Sequence, residues 1–467
     1  MLYRQFIAQP SIIDFPKKSY VYIMKATLWI FWLLLTIASS ASAQSSAPFD
    51  GHKMNRFFDS LATYDQVMGS VSIFQQGEEV YRRSIGYASL ASNRKATVRT
   101  RYRIGSISKT YTATIILQMA EEGKLTLDTR LAKYFPDIPN AGEITVEQML
   151  RHRSGLANFT NLPAYRQYME EPQTQKAMLK RFRRLEPAFA PGAEARYSNT
   201  NYVLLSYIAE EEDGKPFKQI LEDRIVSPLG LPGTYVGEGI DPTKQNGALS
   251  YQWRGGWKPA TETDLSIPLG AGAVVSTPTG LNRFFHALFQ GKLLEDTTLA
   301  RMRTLKENFG MGLFQIPFYE RRAFGHNGGI DGFQSSAAYF PDAQVAVAFT
   351  GNALRMPMND VLIGVLSIYF GRPYEIPSFA PEYEPSVEEL EAYAGNYGSD
   401  GFSLDVRIFL EGEQLMGQAT GQPAFPLSAK AQHRYRYRPA GLEIKFMPGQ
   451  DALLLRQGGG EYRLERE

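Results

Sequence analysis

A chain of 467 residues, 43% hydrophobic and 21% charged, has the balance of a folded globular protein and is too long for one ordinary domain. Its net charge of +2 is too small to argue for a nucleic-acid partner or a strongly anionic surface, and the neutral balance points to a small substrate or a mixed polymer. The absence of cysteine excludes disulfides, thiolate metal sites and a cysteine nucleophile, and no cofactor or metal is expected.

The chain opens with leader character. Lys25 precedes an apolar run from Ala26 to Ala38, and Ala41-Ser42-Ala43 follows as an A-x-A cleavage site. Residues 1–43 are expected to be removed, giving an exported protein, periplasmic or extracellular, without a stable membrane anchor. The run is short for a spanning helix, and Met24 offers a second start just ahead of it. Residues 69–74 and 79–81 flank Gln76-Gly77 and predict a β-hairpin. Residues 110–122 predict a helix that stops at Gly123. A second hairpin is expected where residues 335–340 and 345–350 flank Pro341-Asp342-Ala343, and residues 360–370 predict a last helix. Between the hairpins the pattern is mostly helical and loop-like. Strands at both ends with helices between them predict an α+β domain, with one antiparallel sheet assembled from both ends and packed by helices.

From Pro373 the texture changes. Pro373, Pro377, Pro381 and Pro385 fall in a short stretch that also carries Glu375, Glu382 and Glu384, which predicts an extended linker over residues 373–387. Beyond it the alternation of Leu404, Val406, Ile408 and Leu410, and of Leu442, Ile444 and Phe446, is β throughout. The expected organisation is therefore a leader (1–43), a catalytic domain (44–372), a linker (373–387) and a small all-β meander or partial barrel (388–467).

Three motifs carry chemistry. Ser106-Ile107-Ser108-Lys109 sets a hydroxyl and an amine three residues apart, on one face of a helix. At a helix N-terminus unpaired N–H groups favour a developing oxyanion, and a desolvated lysine can act as a base. About two S-x-x-K matches arise by chance in a chain this long, so the motif has weight only in company. Tyr197-Ser198-Asn199 offers a phenol for proton transfer and an amide that can hold both a lysine and a substrate carbonyl. His326-Asn327-Gly328-Gly329 places glycines where a substrate strand must come close.

In this order the motifs resemble the serine β-lactamase and penicillin-binding-protein superfamily, whose class A β-lactamases and penicillin-binding proteins share an S-x-x-K trio, and specifically its class C-like branch. The likeness extends to Tyr102-Arg103-Ile104-Gly105, to Leu150-Arg151-His152-Arg153-Ser154-Gly155-Leu156, to Pro228-Leu229-Gly230-Leu231 and to Gly270-Ala271-Gly272, and covers roughly residues 55–370. The resemblance implies a β-lactamase/transpeptidase-like fold and a serine hydrolase of amide, peptide or ester bonds, with D-amino-acid peptides or esters as fitting substrates. It implies Ser106 as nucleophile, Lys109 as its activating partner, Tyr197 as general base and acid, and Asn199 as a substrate-positioning group. The N–H groups of Ser106 and Gly329 would form the oxyanion hole, with Gly328 in the adjoining strand. His152 would be a packing residue. Residues 393–397 resemble the start of a small β domain appended to many such hydrolases, and Arg434, Arg436 and Arg438 there read as one solvated strand face. His326 stands where true β-lactamases carry lysine. A histidine of ordinary pKa near about 6.5 grips a carboxylate weakly at neutral pH, which favours a peptidase or esterase over a β-lactamase. Two alternatives stay open: a working β-lactamase, and a non-turnover penicillin-binding or sensor module.

Overall fold

The computed structural model describes residues 49–237, 246–379, 383–399, 402–437 and 440–467; the expected leader lies outside them. Among the described residues no helix is long and apolar enough to cross a membrane. The chain enters through helix α1 (Gly51–Thr63), capped by the Asp50 carboxylate, and the hairpin β1 (Val67–Gln75) and β2 (Glu78–Ile85). Helices α2 (Ser108–Glu121) and α3 (Asn199–Asp213) follow, then a small hairpin β3 (Tyr251–Trp253) and β4 (Trp257–Pro259), then helix α4 (Pro278–Phe289). Strands β5 (Phe314–Phe318), β6 (Arg321–Ile330), β7 (Phe333–Phe340) and β8 (Val345–Leu354) lead to helix α5 (Met358–Tyr369). The β3–β4 hairpin falls in a stretch expected to be helical and loop-like; its Gly255-Gly256 turn between Trp253 and Trp257 is the overlooked signal.

The six-stranded antiparallel sheet has the order β5-β6-β7-β8-β1-β2, so the first and last strands of the domain pair side by side as expected. Its two faces are separated by the period-two alternation of strand side chains. Val71, Ile73, Val345, Val347 and Phe349 face α1 and α5 in one core. Ala337, Tyr339, Ala346 and Ala348 face a second core containing α2, α3 and α4. The small alanines let α4 lie close to the sheet, while the larger residues fill the space on the other side.

Residues 373–379 of the proline-rich segment form neither helix nor strand, but they are not free. Tyr374 packs edge-on against Phe57 of α1, with ring centroids 5.6 Å apart, and Ser60 donates to the Pro377 carbonyl at 3.3 Å. The next element corrects the expectation of β structure throughout. Residues Val387–Tyr393 form helix α6, because Ser386 caps it and accepts the Glu389 N–H at 3.2 Å. A nine-stranded antiparallel sheet follows, whose end strands Phe425–Pro426 and Ser428–Ala431 are joined through Leu427, so it curls nearly closed. Val406, Ile408, Ile444, Phe446, Leu453 and Leu455 fill its own core. Tyr435 points into that core while Arg434 is exposed; Arg438 lies outside the described residues.

Candidate active site

Ser106 sits in a tight 3-10 turn, Gly105–Ile107, immediately before α2, rather than in the helix proper. It is half-buried while Ile104, Gly105, Ile107 and Ser108 are buried, so the turn offers one hydroxyl outward. Two glycines make this possible. Gly105 adopts φ +52°, a left-handed conformation, and a Cβ there would lie 2.8 Å from the Gly329 nitrogen. A Cβ on Gly328 would lie 1.9 Å from the Ile104 carbonyl oxygen, so only glycine lets β6 lie flush against the turn. Gly329, by contrast, has nothing within 4 Å of its Cβ direction and faces open space. The Gly329 backbone is thereby brought against the turn that carries Ser106.

Lys109 is the most enclosed group of the site, with no exposed surface. Its Nζ lies 3.0 Å from Ser106 Oγ, 2.7 Å from Asn199 Oδ1 and 2.7 Å from the Ala271 carbonyl oxygen. Among the described residues no carboxylate pairs with it, and burial holds its pKa well below the usual lysine value. Asn199 opens α3, and its own position is fixed twice: Asn158 Oδ1 accepts its backbone N–H at 3.0 Å, and its Nδ2 donates to Thr160 Oγ1 at 3.0 Å.

Tyr197 stands two residues before α3, its ring centroid 4.9 Å from Lys109 Nζ. Burial raises its phenol above the ordinary tyrosine value, while hydrogen bonding with Ser106 draws it down. His152 does more than fill space. It adopts φ +57°, packs tilted against the Tyr197 ring at 4.4 Å between centroids, and its Nδ1 accepts the Ser198 N–H at 3.2 Å. The segment from His152 to Thr160 thus clamps the start of α3, and with it both Tyr197 and Asn199.

His326 lies on β6 with its ring 6.3 Å from that of Tyr197 and 4.8 Å from that of Phe314. Burial, aided by nearby Lys109, pushes its pKa down to about 3, so the ring is neutral. Nδ1 donates to the Asn327 carbonyl at 2.5 Å, which leaves Nε2 as a bare lone pair, buried and without a hydrogen-bond partner.

A cavity of about 490 Å³ opens over the turn. Ser106, Asn199 and Gly329 line it, together with Ala271, Thr160, Tyr165, Arg254 and Asp331; Lys109, Tyr197, His326 and Gly328 support those groups without lining the wall. Arg103, three residues before Ser106, is buried and donates to Asp331 Oδ2 at 2.8 Å, Glu262 Oε2 at 3.0 Å and the Thr263 carbonyl at 2.6 Å. That network ties the nucleophile turn to the end of β6. Ala271, His152, Asn158, Thr160 and Arg103 escaped identification as parts of the site, because their roles arise from long-range contacts rather than spacing. Among the described residues no cluster of histidine and carboxylate side chains is arranged to hold a metal ion.

This geometry has known counterparts. The family model described as Beta-lactamase matches residues 55–363. Penicillin-binding protein 4* of Bacillus subtilis (strain 168) is 25% identical over 443 residues, covering 87% of this chain and 97% of its own. The solved structure of D-amino acid amidase from Ochrobactrum anthropi SV3 is 28% identical with a TM-score of 0.61, over 68% of this chain and 98% of that one. The octameric penicillin-binding protein homologue from Pyrococcus abyssi shares the fold at 22% identity and a TM-score of 0.63, over 89% of this chain and 99% of that one.

Proposed function

From the fact that the chain belongs to the Beta-lactamase family, and so to a superfamily of serine hydrolases, we propose that it hydrolyses amide or ester bonds of D-amino-acid derivatives through an acyl-enzyme on Ser106. The observation that carries this is the hydrogen-bond account of Lys109. A neutral amine has two N–H donors and one lone pair. An ammonium would donate to all three neighbours, but burial without a counterion favours the neutral amine, whose two N–H groups serve the 2.7 Å contacts to Asn199 Oδ1 and the Ala271 carbonyl while its lone pair takes the Ser106 hydroxyl at 3.0 Å. Lys109 is therefore the resting base, and Tyr197, whose phenol stays protonated, is the resting acid rather than the first base.

In acylation the Ser106 oxygen attacks the substrate carbonyl carbon and its proton passes to Lys109. The N–H groups of Ser106 and Gly329 stabilise the tetrahedral oxyanion. As the bond to the leaving nitrogen or oxygen breaks, Tyr197 supplies that atom with a proton and is reprotonated by the Lys109 ammonium beside its ring. Water then attacks the ester on Ser106 under the same base, releasing the acid and restoring the hydroxyl.

A buried lysine without a counterion is costly to keep and has no use in a non-turnover binding module. β-Lactamase activity is disfavoured by His326, which offers the carboxylate of a β-lactam neither charge nor a free N–H. D-amino-acid derivatives are the proposed substrates because a D-amino acid amidase and a penicillin-binding protein are among the relatives. Export with cleavage after Ala43 belongs to the same proposal. Kinetics on D- and L-alanine p-nitroanilides, with Lys109→Ala alongside, test it. Preference for the D enantiomer and a loss of about 10² or more in kcat for the variant are expected. Equal use of both enantiomers would overturn the substrate class, and undiminished kcat in Lys109→Ala the mechanism.

A further inference from the structure

Two charged residues stand in the cavity wall, Arg254 and Asp331, and they are not equivalent. The Asp331 side chain is fully enclosed: Oδ2 accepts from Arg103, and Oδ1 accepts the Thr263 N–H at 2.9 Å and its hydroxyl at 2.8 Å. Its charge is consumed. Arg254, in the β3–β4 turn, is exposed, and its guanidinium donates to a neutral acceptor, Gln252 Oε1, at 3.0 Å. The nearby carboxylates leave it available. Glu262 pairs with Arg103, and Glu411 approaches the neighbouring Gly255 without forming an ion pair with Arg254 among the described residues.

The hairpin that presents this arginine is firmly seated. The Leu90 N–H donates to the Tyr251 hydroxyl at 2.8 Å, the Trp253 and Trp257 rings meet edge-on at 5.1 Å, and the Arg355 guanidinium lies 4.0 Å over Trp253. At its base a Cβ on Gly332 would lie 2.8 Å from the Tyr251 carbonyl oxygen, so the hairpin abuts the far end of β6.

The polarity of the site says which part of a substrate Arg254 meets. Strand β6 runs from His326 past Gly329 to Ile330, and residues along a strand advance about 3.3 Å each. Tyr197, the proton donor to the leaving group, lies at the His326 end. The leaving group therefore departs toward His326, and the acyl portion extends the other way, past Ile330 and Asp331, under Arg254.

We propose that Arg254 selects substrates whose acyl portion carries a carboxylate, held by a charge-assisted Arg–carboxylate pair. The proposal rests on the acyl-enzyme reading above and assigns a carboxylate preference to the acyl side alone. The test compares kcat/KM for the p-nitroanilides of N-acetyl-D-glutamate, N-acetyl-D-glutamine and N-acetyl-D-lysine, in wild type and in Arg254→Gln, Arg254→Lys and Arg254→Glu. Wild type should favour the glutamate derivative over its neutral isostere by about 10-fold, mainly through KM. The ratio should fall to near one in Arg254→Gln, recover in part in Arg254→Lys, and reverse toward the lysine derivative in Arg254→Glu. A glutamate-to-glutamine ratio that is the same in wild type, Arg254→Gln and Arg254→Glu would overturn the assignment. Absence of turnover of every derivative, with no covalent adduct on Ser106, would instead overturn the acyl-enzyme reading and the assignment with it.

Discussion

Asn199 Oδ1 stands 2.7 Å from Lys109 Nζ, and it is an amide oxygen, not a carboxylate. The difference decides the protonation state of the base. An amide accepts a hydrogen bond from either form of the amine, whereas a carboxylate would favour the ammonium and hold its proton. Asn199→Asp should therefore raise the Lys109 pKa. The group is a base, active when neutral, so activity rises with pH through its pKa, and raising that pKa moves the acid limb of kcat/KM to higher pH. A displacement of about one unit or more is expected, with activity partly recovered in alkali. A pH–rate profile of Asn199→Asp superimposable on wild type would contradict the role given to Lys109.

His326 predicts a second profile. Its pKa is pushed down to about 3, and burial holds that of His152 well below the usual histidine value. The kcat/KM profile for an ester should show no inflection near about 6.5, the ordinary histidine pKa. Cephalosporin turnover should be slow and should improve relative to an ester in His326→Lys. Rapid cephalosporin turnover in wild type, unchanged by His326→Lys, would remove the charge argument.

Gly328 and Gly329 are neighbours with opposite surroundings. Gly328→Ala drives a methyl into the Ile104 carbonyl, and should cost about 1–3 kcal/mol of stability together with most of the activity. Gly329→Ala meets open space and should leave the melting temperature near wild type while obstructing the cavity. Thermal denaturation of both variants checks the pair, and equal destabilisation would contradict the close approach of β6 to the turn.

The position of the linker refines where the chain can be shortened. Ending at Gly371 strips Tyr374, Ile376 and Phe379 from the core around α1, whereas ending at Phe379 keeps them. The longer truncate should be the more stable, and both should retain a reactive Ser106, since no site residue named above follows the linker. Loss of reactivity in a folded chain ending at Phe379 would mean that the C-terminal sheet completes the site.

The parts of this molecule that were legible in the sequence are those written in local spacing. Ser106 and Lys109 are three residues apart, and both hairpins of the central sheet are marked by their turns, Gln76-Gly77 and Pro341-Asp342-Ala343. Helix α6 was missed although Ser386 and Glu389 form a capping pair, because the prolines before it and the strands after it dominate the pattern. The packing of His152 on Tyr197, the Ala271 carbonyl on Lys109 and the Arg103–Asp331 pair join residues from 45 to 228 positions apart. No periodicity encodes such contacts; they follow only once the helical segment folds back on the sheet. Arg254 was invisible for the same reason, being one surface arginine among many until the hairpin carries it to the cavity rim.

The central claim is that Ser106 is the acylated nucleophile. Incubation with a fluorophosphonate, followed by peptide mass spectrometry, tests it most directly. A single adduct on the peptide containing Ser106 is expected, absent in Ser106→Ala and strongly slowed in Lys109→Ala. Labelling at another serine, or labelling that persists undiminished in Ser106→Ala, would contradict it.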